Sequence, residues 1–396
     1  YAGWGLTEDA QPISRRTQHL TAEQLFAGAM ILAPIWYDPC RDRLCPLEKV
    51  IDQLEAKTRA YRQDRHGHVA AGMRLWKRAR LQAFFGTERP LRFRDDPAQA
   101  DAQAVAAGRS LLIWAGKEPE GFTPKAPCLR VEDGFLRSKG LGADLIPPLS
   151  LVTDDLGIYY DPSRPSRLEE LIAAPLPPGG RERAEALIAR LRETGLSKYN
   201  LPAAPLPPLP EGHRILVPGQ VEDDASITKG AGAVRTNLAL LQAVRAAHPE
   251  AVVIYKPHPD VVAGLRPGAV TADGLANLTL AMADPAALLA TVDEVWTMTS
   301  LLGFEALLRG VPVTCLGAAF YAGWGLTTDL GPTPERRGKT DLATLVHAAL
   351  VAYPRYWDPV SRSPCPVEVV LDRLASGGVP APGPGNRLVA KLQGRF

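Results

Sequence analysis

Two short apolar runs separated by a helical repeat indicate a βαβ unit over residues 214–260. Ile215 to Val217 is ended by Pro218-Gly219, and Val252 to Tyr255 is ended by Pro257, so each run predicts a buried strand. Apolar side chains recur at helical spacing between the runs, at Val234, Leu238, Leu241 and Val244. Strands joined by such a helix run parallel, so both strand ends open on one edge of a sheet.

Polar side chains follow both predicted strands at this edge. They are Gln220, Glu222, Asp223, Asp224 and Ser226 after the first strand, and Lys256 and His258 after the second. Open α/β sheets bind ligands at the carboxyl ends of their strands. We therefore predict that carboxylates face a cation and an imidazole there.

A further strand of the same domain leads directly into a helix. Residues 293–298 are strand-like, and Thr299-Ser300 begin a helical run that ends at Gly310. A helix that begins with hydroxyl side chains and free backbone N–H groups is suited to bind phosphate. We predict a nucleotide phosphate between Ser300 and His258, which leaves a carboxylate free to meet a sugar carbon.

The first half of the chain predicts a second α/β domain. Its predicted elements are strands at 111–114 and 128–131, a hairpin over 149–160 with Asp154-Asp155 in the turn, and a helix over 181–194. Glu132 and Asp133 directly follow the second strand. Half of residues 201–210 are proline, which favours an extended connector, so we place the hinge between the two domains there.

An internal repeat shapes the predicted domain organisation. The heptapeptide YAGWGLT occurs at 1–7 and again at 321–327, and the offset of 320 residues also matches Cys45-Pro46 with Cys365-Pro366 and Leu54 with Leu374. We expect a fragment of a tandem-duplicated protein, with the tail of one module before a whole one. The predicted domains are a remnant plus linker at 1–66, dispensable for chemistry, α/β domains at 67–205 and 206–340, and closing helices with a mobile tail at 341–396.

Composition excludes several classes of function. The 396 residues carry a formal net charge of +2, which gives no argument for binding nucleic acid. No apolar run approaches the roughly 18 residues of a membrane span. Five cysteines without metal-site spacing favour a reducing, cytoplasmic location and no bound metal.

Six motifs taken together resemble the KpsC-type capsule polysaccharide β-Kdo transferases, over nearly all of residues 70–376. The motifs are EDGFLRS at 132–138, KYN at 198–200, GQVEDDAS at 219–226, YKPHPD at 255–260, TSLLGFEALLRG at 299–310 and YAGWGLT at 321–327. The resemblance implies two Rossmann-like domains in a GT-B-like arrangement. It also implies retaining transfer of 3-deoxy-D-manno-octulosonic acid (Kdo) from CMP-Kdo to a poly-Kdo linker on lysophosphatidylglycerol. Further partners would be the inner-membrane surface and the capsule export machinery.

The resemblance also implies roles for individual residues. Asp224 would be the nucleophile, although Asp223 is the neighbouring alternative, and Glu132 would be the general base with Asp133 as second choice. The implied donor-binding residues are Gln220, Ser226, Lys256, His258, Thr299, Ser300 and Glu305. A CMP leaving group needs no metal ion or other cofactor.

Simpler interpretations compete with these predictions. Glu222-Asp223-Asp224 alone is typical of a helix-capping loop, and Thr299-Ser300 of an ordinary helix start. The chain could also be a sialyltransferase-like enzyme that uses another CMP-sugar, or a non-catalytic carbohydrate-binding module. Arg74 to Phe85, with Lys77, Arg78 and Arg80, predicts a helix that lies on an anionic membrane or packs on its own domain.

Overall fold

The computed structural model describes residues 20–140, 145–201 and 204–379, which form two β-sheets flanked by helices. The first copy of the heptapeptide, at 1–7, and residues 380–396 of the predicted tail lie outside the described residues.

The amino-terminal elements precede the first sheet. They are α1 (Ala22–Phe26), a π-helical continuation over Ala27–Leu32, the strands β1 (Trp36–Asp38) and β2 (Arg43–Cys45), and α2 (Leu47–Asp64). The next group is β3 (His68–Ala71), α3 (Leu75–Phe85), β4 (Arg92–Arg94), α4 (Pro97–Ala106), β5 (Ser110–Trp114), β6 (Cys128–Asp133), β7 (Ser150–Asp154), α5 (Arg167–Ala173) and α6 (Gly180–Thr194).

The second sheet and the closing elements complete the chain. The second sheet and its helices are β8 (Arg214–Pro218), α7 (Ala225–Gly230), α8 (Asn237–Ala247), β9 (Val252–Lys256), α9 (Pro259–Val262), β10 (Leu278–Thr279), α10 (Pro285–Leu289), β11 (Glu294–Thr297), α11 (Leu301–Leu308), β12 (Val313–Cys315) and β13 (Thr328–Asp329). The closing elements are α12 (Leu342–Val346), its π-helical continuation over His347–Ala352, β14 (Pro354–Asp358), β15 (Ser363–Cys365) and α13 (Val367–Ser376).

The second sheet is entirely parallel, in the order β10-β9-β8-β11-β12-β13. Ile215 pairs with Val253, which confirms the βαβ unit predicted over 214–260. The chain moves from β8 outwards through β9 to β10 and then returns to β11 on the other side of β8. This topological switch point between β8 and β11 opens a crevice at the carboxyl edge.

The first sheet is mixed, in the order β15-β14-β7-β6-β5-β3-β4. Strands β4, β3, β5 and β6 are parallel, and β7, β14 and β15 add to them antiparallel. The strands predicted at 111–114 and 128–131 and the helix at 181–194 are confirmed. The region predicted to hold only closing helices thus supplies two strands that return to the first sheet.

The hairpin predicted over 149–160 is wrong. β7 pairs with β6 and β14, and residues 157–160 form no strand. Asp154 does accept the backbone N–H groups of Leu156 and Gly157, as a turn residue would. It is also fully buried, and it accepts the Arg167 N–H and the Tyr353 hydroxyl, so its carboxylate anchors the loop after β7.

The linker predicted at the end of residues 1–66 is also wrong, although the helix predicted over Arg74 to Phe85 is confirmed as α3. The end of α2 and strand β3 precede it. Asp64, at the end of α2, is fully buried between Arg355 at 2.7 Å and His68 at 2.9 Å. The predicted boundary at residue 66 therefore separates Asp64 from its partners, and losing one partner of a buried pair costs about 3–5 kcal/mol.

The internal repeat extends to the three-dimensional structure of residues 20–64. The π-helical turns at 27–32 and 347–352 lie 320 residues apart, as do the hairpins and the helices after them. Asp42 and Arg362 occupy the same hairpin position, and both have left-handed backbone angles, with φ of 51° and 54°.

The two copies of the repeat differ sharply in burial. Leu374 in α13 is 3% exposed, whereas its counterpart Leu54 in α2 is 56% exposed. Phe26 and Ile51 are likewise about half exposed, whereas their counterparts Val346 and Leu371 are buried. The second copy contributes to the core, and the first copy presents the same face to solvent.

We expect Leu374→Ala to lower the free energy of unfolding by about 2–5 kcal/mol, because it removes packed atoms and leaves a cavity. The matched change Leu54→Ala should cost less than about 0.5 kcal/mol, since this side chain is largely in water. Denaturant unfolding of both variants measures the difference. Equal losses would show that the face of α2 is covered in this chain.

Aromatic rings join the two sheets in one continuous core. Phe135, two residues after β6, stacks on Phe320 with ring centres 4.5 Å apart and also approaches Phe304 of α11. Tyr321, which begins the second YAGWGLT copy, is fully buried, and its hydroxyl donates to the Ser300 carbonyl. The heptapeptide at 321–327 thus belongs to the core that connects the two domains.

Gly303 lies directly against Tyr321. A Cβ atom at this position would lie 2.2 Å from the Tyr321 hydroxyl oxygen and 2.8 Å from Cζ. We expect Gly303→Ala to destabilise the fold by about 1–3 kcal/mol through overpacking, measured by thermal unfolding. Gly116→Ala is the control, because no atom lies within 4 Å of the added methyl group. Tyr321→Phe should partly relieve the Gly303→Ala defect, and strict additivity of the two changes would contradict this explanation.

Candidate active site

The carboxyl edge of the first sheet brings together side chains from three successive elements. Glu132 and Asp133 end β6, Trp114 ends β5, and Lys77 lies in the first turn of α3, just after β3. The Lys77 ammonium lies 3.7 Å from Asp133 Oδ1 and 3.3 Å from the centre of the Trp114 ring. This placement corrects the expectation that Lys77 faces a membrane, since its side chain is only 13% exposed.

Glu132 and Asp133 have opposite pKa shifts although they are adjacent. Burial, followed by the neighbouring Asp133 carboxylate, raises the pKa of Glu132 to about 7. Burial also acts on Asp133, but Arg137 and Lys77 outweigh it and hold the pKa of Asp133 below its ordinary value. Arg137 Nε donates to Asp133 Oδ2 at 2.8 Å. Near neutral pH Glu132 can therefore exchange a proton, whereas Asp133 remains a carboxylate.

The KYN segment at 198–200 connects the two halves of the site through its backbone. The Lys198 carbonyl accepts the N–H groups of Arg137 and Ser138, and the Asn200 amide donates to the Ser138 carbonyl at 3.1 Å. On its other side, the Lys198 N–H donates to Glu305 of α11 at 2.9 Å. The segment is thus bonded to both domains.

The Lys198 ammonium lies in the field of carboxylates from both domains. Burial lowers the pKa of Lys198, but Tyr199, Asp133 and Asp224 outweigh it and raise the value. Asp133 belongs to the first sheet and Asp224 to the second domain. The two predicted catalytic regions therefore face a common space.

Asp224 is the N-cap of α7 and forms hydrogen bonds with Ser226. Both the backbone N–H and the hydroxyl of Ser226 donate to Asp224 Oδ1, at 2.9 and 2.8 Å. Asp223 instead points outwards, is 57% exposed and pairs with Arg266 at 2.6 Å. Of the two adjacent carboxylates, Asp224 is the one oriented towards the site.

The side chain of Gln220 connects the loop after β8 to the start of α11 by hydrogen bonds. Its Oε1 accepts the Thr299 N–H at 2.9 Å and its Nε2 donates to the Thr299 hydroxyl at 3.0 Å. The residue is buried and crosses the switch point between β8 and β11. Its side chain positions Thr299, and its contact with the donor remains a prediction.

His258 follows β9 and carries a defined tautomer. Its Nδ1 accepts the Asp260 N–H at 3.1 Å, so a neutral ring carries its proton on Nε2. Burial, followed by the positive charge of Lys198, lowers the pKa of His258 to about 4. The imidazole is therefore neutral at physiological pH and offers one N–H donor.

Lys256 and Glu305 lie deeper in the second domain. The Lys256 ammonium donates to the Ala281 carbonyl at 3.3 Å, and burial lowers its pKa. Burial raises the pKa of Glu305, and the carboxylate supports the backbone of Lys198. Both side chains thus form hydrogen bonds with backbone groups near the site.

Thr299 and Ser300 stand where β11 meets α11. Ser300 caps this helix by accepting the Leu302 N–H at 3.2 Å, and its own N–H donates to Thr297 at 3.1 Å. The helix start is held by Gln220 on one side and Tyr321 on the other. This confirms the predicted helix start, with its dipole directed at the crevice.

Tyr159 lies where the two domains meet and contacts Phe135 and Phe320. Burial raises its pKa well above the ordinary value, and the charges of Glu132 and Asp224 add to the shift. Tyr199 meets His258 edge to face, with ring centres 6.5 Å apart. Asp224 also acts electrostatically on His258, so the structure brings Glu132, Asp224 and His258 near one another, although they are distant in sequence.

Three site residues received no role from the sequence: Arg137, Lys198 and Tyr159. Arg137 and Lys198 lie inside the EDGFLRS and KYN motifs. The sequence pattern identifies these motifs but does not show which side chains the two residues contact. Tyr159 was assigned to the hairpin that does not form.

The described residues contain no group of three or more His, Cys, Asp or Glu side chains suited to a metal ion. Metal independence remains a prediction. Within the same ranges, no helix combines the length and apolar character that crossing a membrane requires.

Comparison with known proteins places the chain among capsule proteins. The family model described as capsule polysaccharide biosynthesis protein matches residues 123–204 and 209–356. The capsule polysaccharide modification protein LipA of Neisseria meningitidis serogroup A is 41% identical over 376 residues, which are 91% of this chain and 53% of LipA. The chain thus spans about half the length of LipA. The lipopolysaccharide-processing protein LpsZ of Rhizobium meliloti is 42% identical over 333 residues, 78% of this chain and 74% of LpsZ.

Two solved structures from Thermosulfurimonas dismutans also resemble this chain. The KpsC β-Kdo 2,7 transferase is 36% identical with a TM-score of 0.66, and the KpsC β-Kdo 2,4 transferase is 32% identical with a TM-score of 0.68. Each alignment covers 78% of this chain, and 99% and 98% of the respective structures. With the family match and the identity to LpsZ, these likenesses show that the chain belongs to the capsule polysaccharide biosynthesis protein family.

Proposed function

We propose that this chain is a retaining β-Kdo transferase that uses CMP-Kdo as donor. The observation that carries the proposal is that Asp224, fixed by Ser226, and the proton-exchanging Glu132 both act electrostatically on Tyr159 between the two domains. Both solved relatives bear the name of β-Kdo transferases, which supports the same reaction class here. The proposal includes a GT-B arrangement of the two sheets, with the first sheet on the acceptor side.

In the first step Asp224 attacks the anomeric carbon of the donor. One carboxylate oxygen forms the new C–O bond, and the bond to the CMP phosphate breaks, with its electron pair leaving on the phosphate. The Nε2–H of His258 and the N-terminus of α11 would stabilise the developing phosphate charge. Ser226 keeps Asp224 in position because it donates two hydrogen bonds to one oxygen.

In the second step an acceptor hydroxyl replaces Asp224 on the sugar. Glu132 takes the hydroxyl proton, the acceptor oxygen forms the new glycosidic bond, and the ester bond to Asp224 breaks. Two displacements at the same carbon retain its configuration. Asp133 remains ionised beside Arg137 and contributes to the raised pKa of Glu132.

The acceptor in this proposal is a Kdo-bearing lysophosphatidylglycerol. Contact with an anionic membrane surface would bring the enzyme to such a lipid. Arg74 and Leu75 at the start of α3 are exposed and available for that contact. Arg78 is less available, because it pairs with Asp95 at 2.6 Å.

We also propose that the exposed first repeat copy packs in a larger tandem protein. Leu54, Ile51 and Phe26 present an apolar face whose counterpart in the second copy is covered by its own module. An upstream module with equivalent elements would cover this face in the same way.

We expect Asp224→Ala to abolish transfer and to retain CMP binding, because the lost carboxylate acts on the sugar and not on the nucleotide. Mass spectrometry of the trapped wild-type enzyme should find a Kdo adduct on a peptide spanning 219–229. The adjacent change Asp223→Ala is the control and should keep activity, since its side chain pairs with Arg266 outside the cleft. An adduct elsewhere, or loss of CMP binding together with transfer, would exclude Asp224 as the nucleophile. CMP-Kdo binding without any turnover by the wild type would favour the carbohydrate-binding alternative.

The rate of transfer should depend on the ionisation of Glu132. The group must be deprotonated to accept a proton, and its raised pKa means that this form is lost as the pH falls below about 7. We expect kcat/KM to fall towards about tenfold per pH unit on the acidic side. A profile between pH 5 and 9 measures this. An acidic limb near the ordinary carboxyl value of 4.5 would contradict the assignment.

A further inference from the structure

Three cations surround the carboxylates at the first sheet edge, and the two displacement steps leave them without a role. This cation cluster consists of Lys77, Arg137 and Lys198. The charges of all three act on Asp133. Glu132 and Asp133 lie beside these cations at the edge of the first sheet, and Asp224 of the second domain also acts on Lys198. The cluster therefore gathers three cations in a partly desolvated space.

Arg137 leaves part of its hydrogen-bonding capacity unused. The residue is 1% exposed, its Nε donates to Asp133 at 2.8 Å and its Nη1 donates to Ser138 at 2.8 Å. The remaining Nη2 has no hydrogen-bond partner within the described ranges. A buried guanidinium nitrogen without a partner is costly, so it points to a ligand that supplies an acceptor.

Lys77 and Asp133 are also incompletely paired. Asp133 Oδ1 is buried and has no hydrogen-bond partner in the described part of the chain, since the Lys77 ammonium stays 3.7 Å away. That ammonium rests over the Trp114 ring, where cation–π attraction replaces part of its lost hydration. The ammonium retains the capacity to donate to an added anion.

We propose that the cation cluster binds the carboxylate of a sugar acid next to Glu132. This inference rests on the proposed function. A guanidinium and two ammonium groups match the geometry and charge of a carboxylate. Kdo carries one carboxylate in both donor and acceptor, and the position beside the general base favours that of the acceptor. Holding that carboxylate would direct the neighbouring hydroxyl to Glu132 and select an anionic acceptor.

The experiment compares a Kdo glycoside acceptor with its neutral C1 carboxamide. We expect the wild type to prefer the acid in kcat/KM by roughly 10- to 100-fold, as for one charge-assisted hydrogen bond. Lys77→Gln should reduce this preference at least about threefold, because one of the three charges that recognise the carboxylate is gone. Lys77→Arg should restore most of the preference. Lys77→Met keeps the contact with Trp114 and provides a second uncharged variant if the Gln variant fails to fold.

Arg78→Gln is the matched control on the same helix. Arg78 pairs with the exposed Asp95 and should keep the wild-type preference for the acid. If Lys77→Gln instead raises the KM for CMP-Kdo at least tenfold and keeps the acceptor preference, the cluster binds the carboxylate of the donor. An unchanged acceptor preference together with an unchanged donor KM would overturn the proposal. Failure of the wild type to consume CMP-Kdo would refute the proposed function itself, so the two failures are distinguishable.

Discussion

The stack of Phe135 on Phe320 is the contact on which the geometry of the site depends. Phe135 follows Glu132 and Asp133 by only a few residues, and Phe320 directly precedes Tyr321, which holds the Ser300 carbonyl. The stack itself contributes about 0.5–1.5 kcal/mol beyond burial. Its larger effect is geometric, because the end of β6 and the start of α11 cannot shift relative to each other without opening a buried core. Tyr321 of the heptapeptide at 321–327 thus supports the start of α11 through packing and a hydrogen bond.

Several polar residues at the cleft act on other residues of the site. Gln220 fixes Thr299, Glu305 supports the Lys198 backbone, and Ser226 orients Asp224. The bonds of Gln220 and Glu305 join segments that are distant in sequence. The bond from Ser226 lies at the start of α7. Removing one partner would leave a buried polar group unsatisfied, at a cost of about 1–3 kcal/mol. The positions of Thr299, Lys198 and Asp224 are therefore each fixed by a hydrogen bond with another residue.

Local patterns were sufficient to predict the parallel second sheet and the edge that carries Asp224, His258 and Ser300. Those predictions held because apolar runs and helix starts are encoded within a few residues of each other. The strands β14 and β15 were missed because prolines weaken a strand signal and because their partner β7 lies some 200 residues away in sequence. Lys77 was misassigned for a related reason. A lysine on an amphipathic helix is typical of a surface, and only the tertiary fold brings it over Trp114 and beside Asp133.

Glu132 and Asp133 show how the fold assigns different chemistry to neighbouring carboxyls. Both are partly buried at the end of one strand, so desolvation acts on each in the same direction. Arg137 and Lys77 stabilise the charge of Asp133, and that fixed charge opposes ionisation of Glu132. Two groups whose environments separate their pKa values are a recognised basis for acid–base catalysis. The cations that lower the pKa of Asp133 thereby allow its charge to raise that of Glu132, so the pKa shift of Glu132 and the cations beside it have one structural origin.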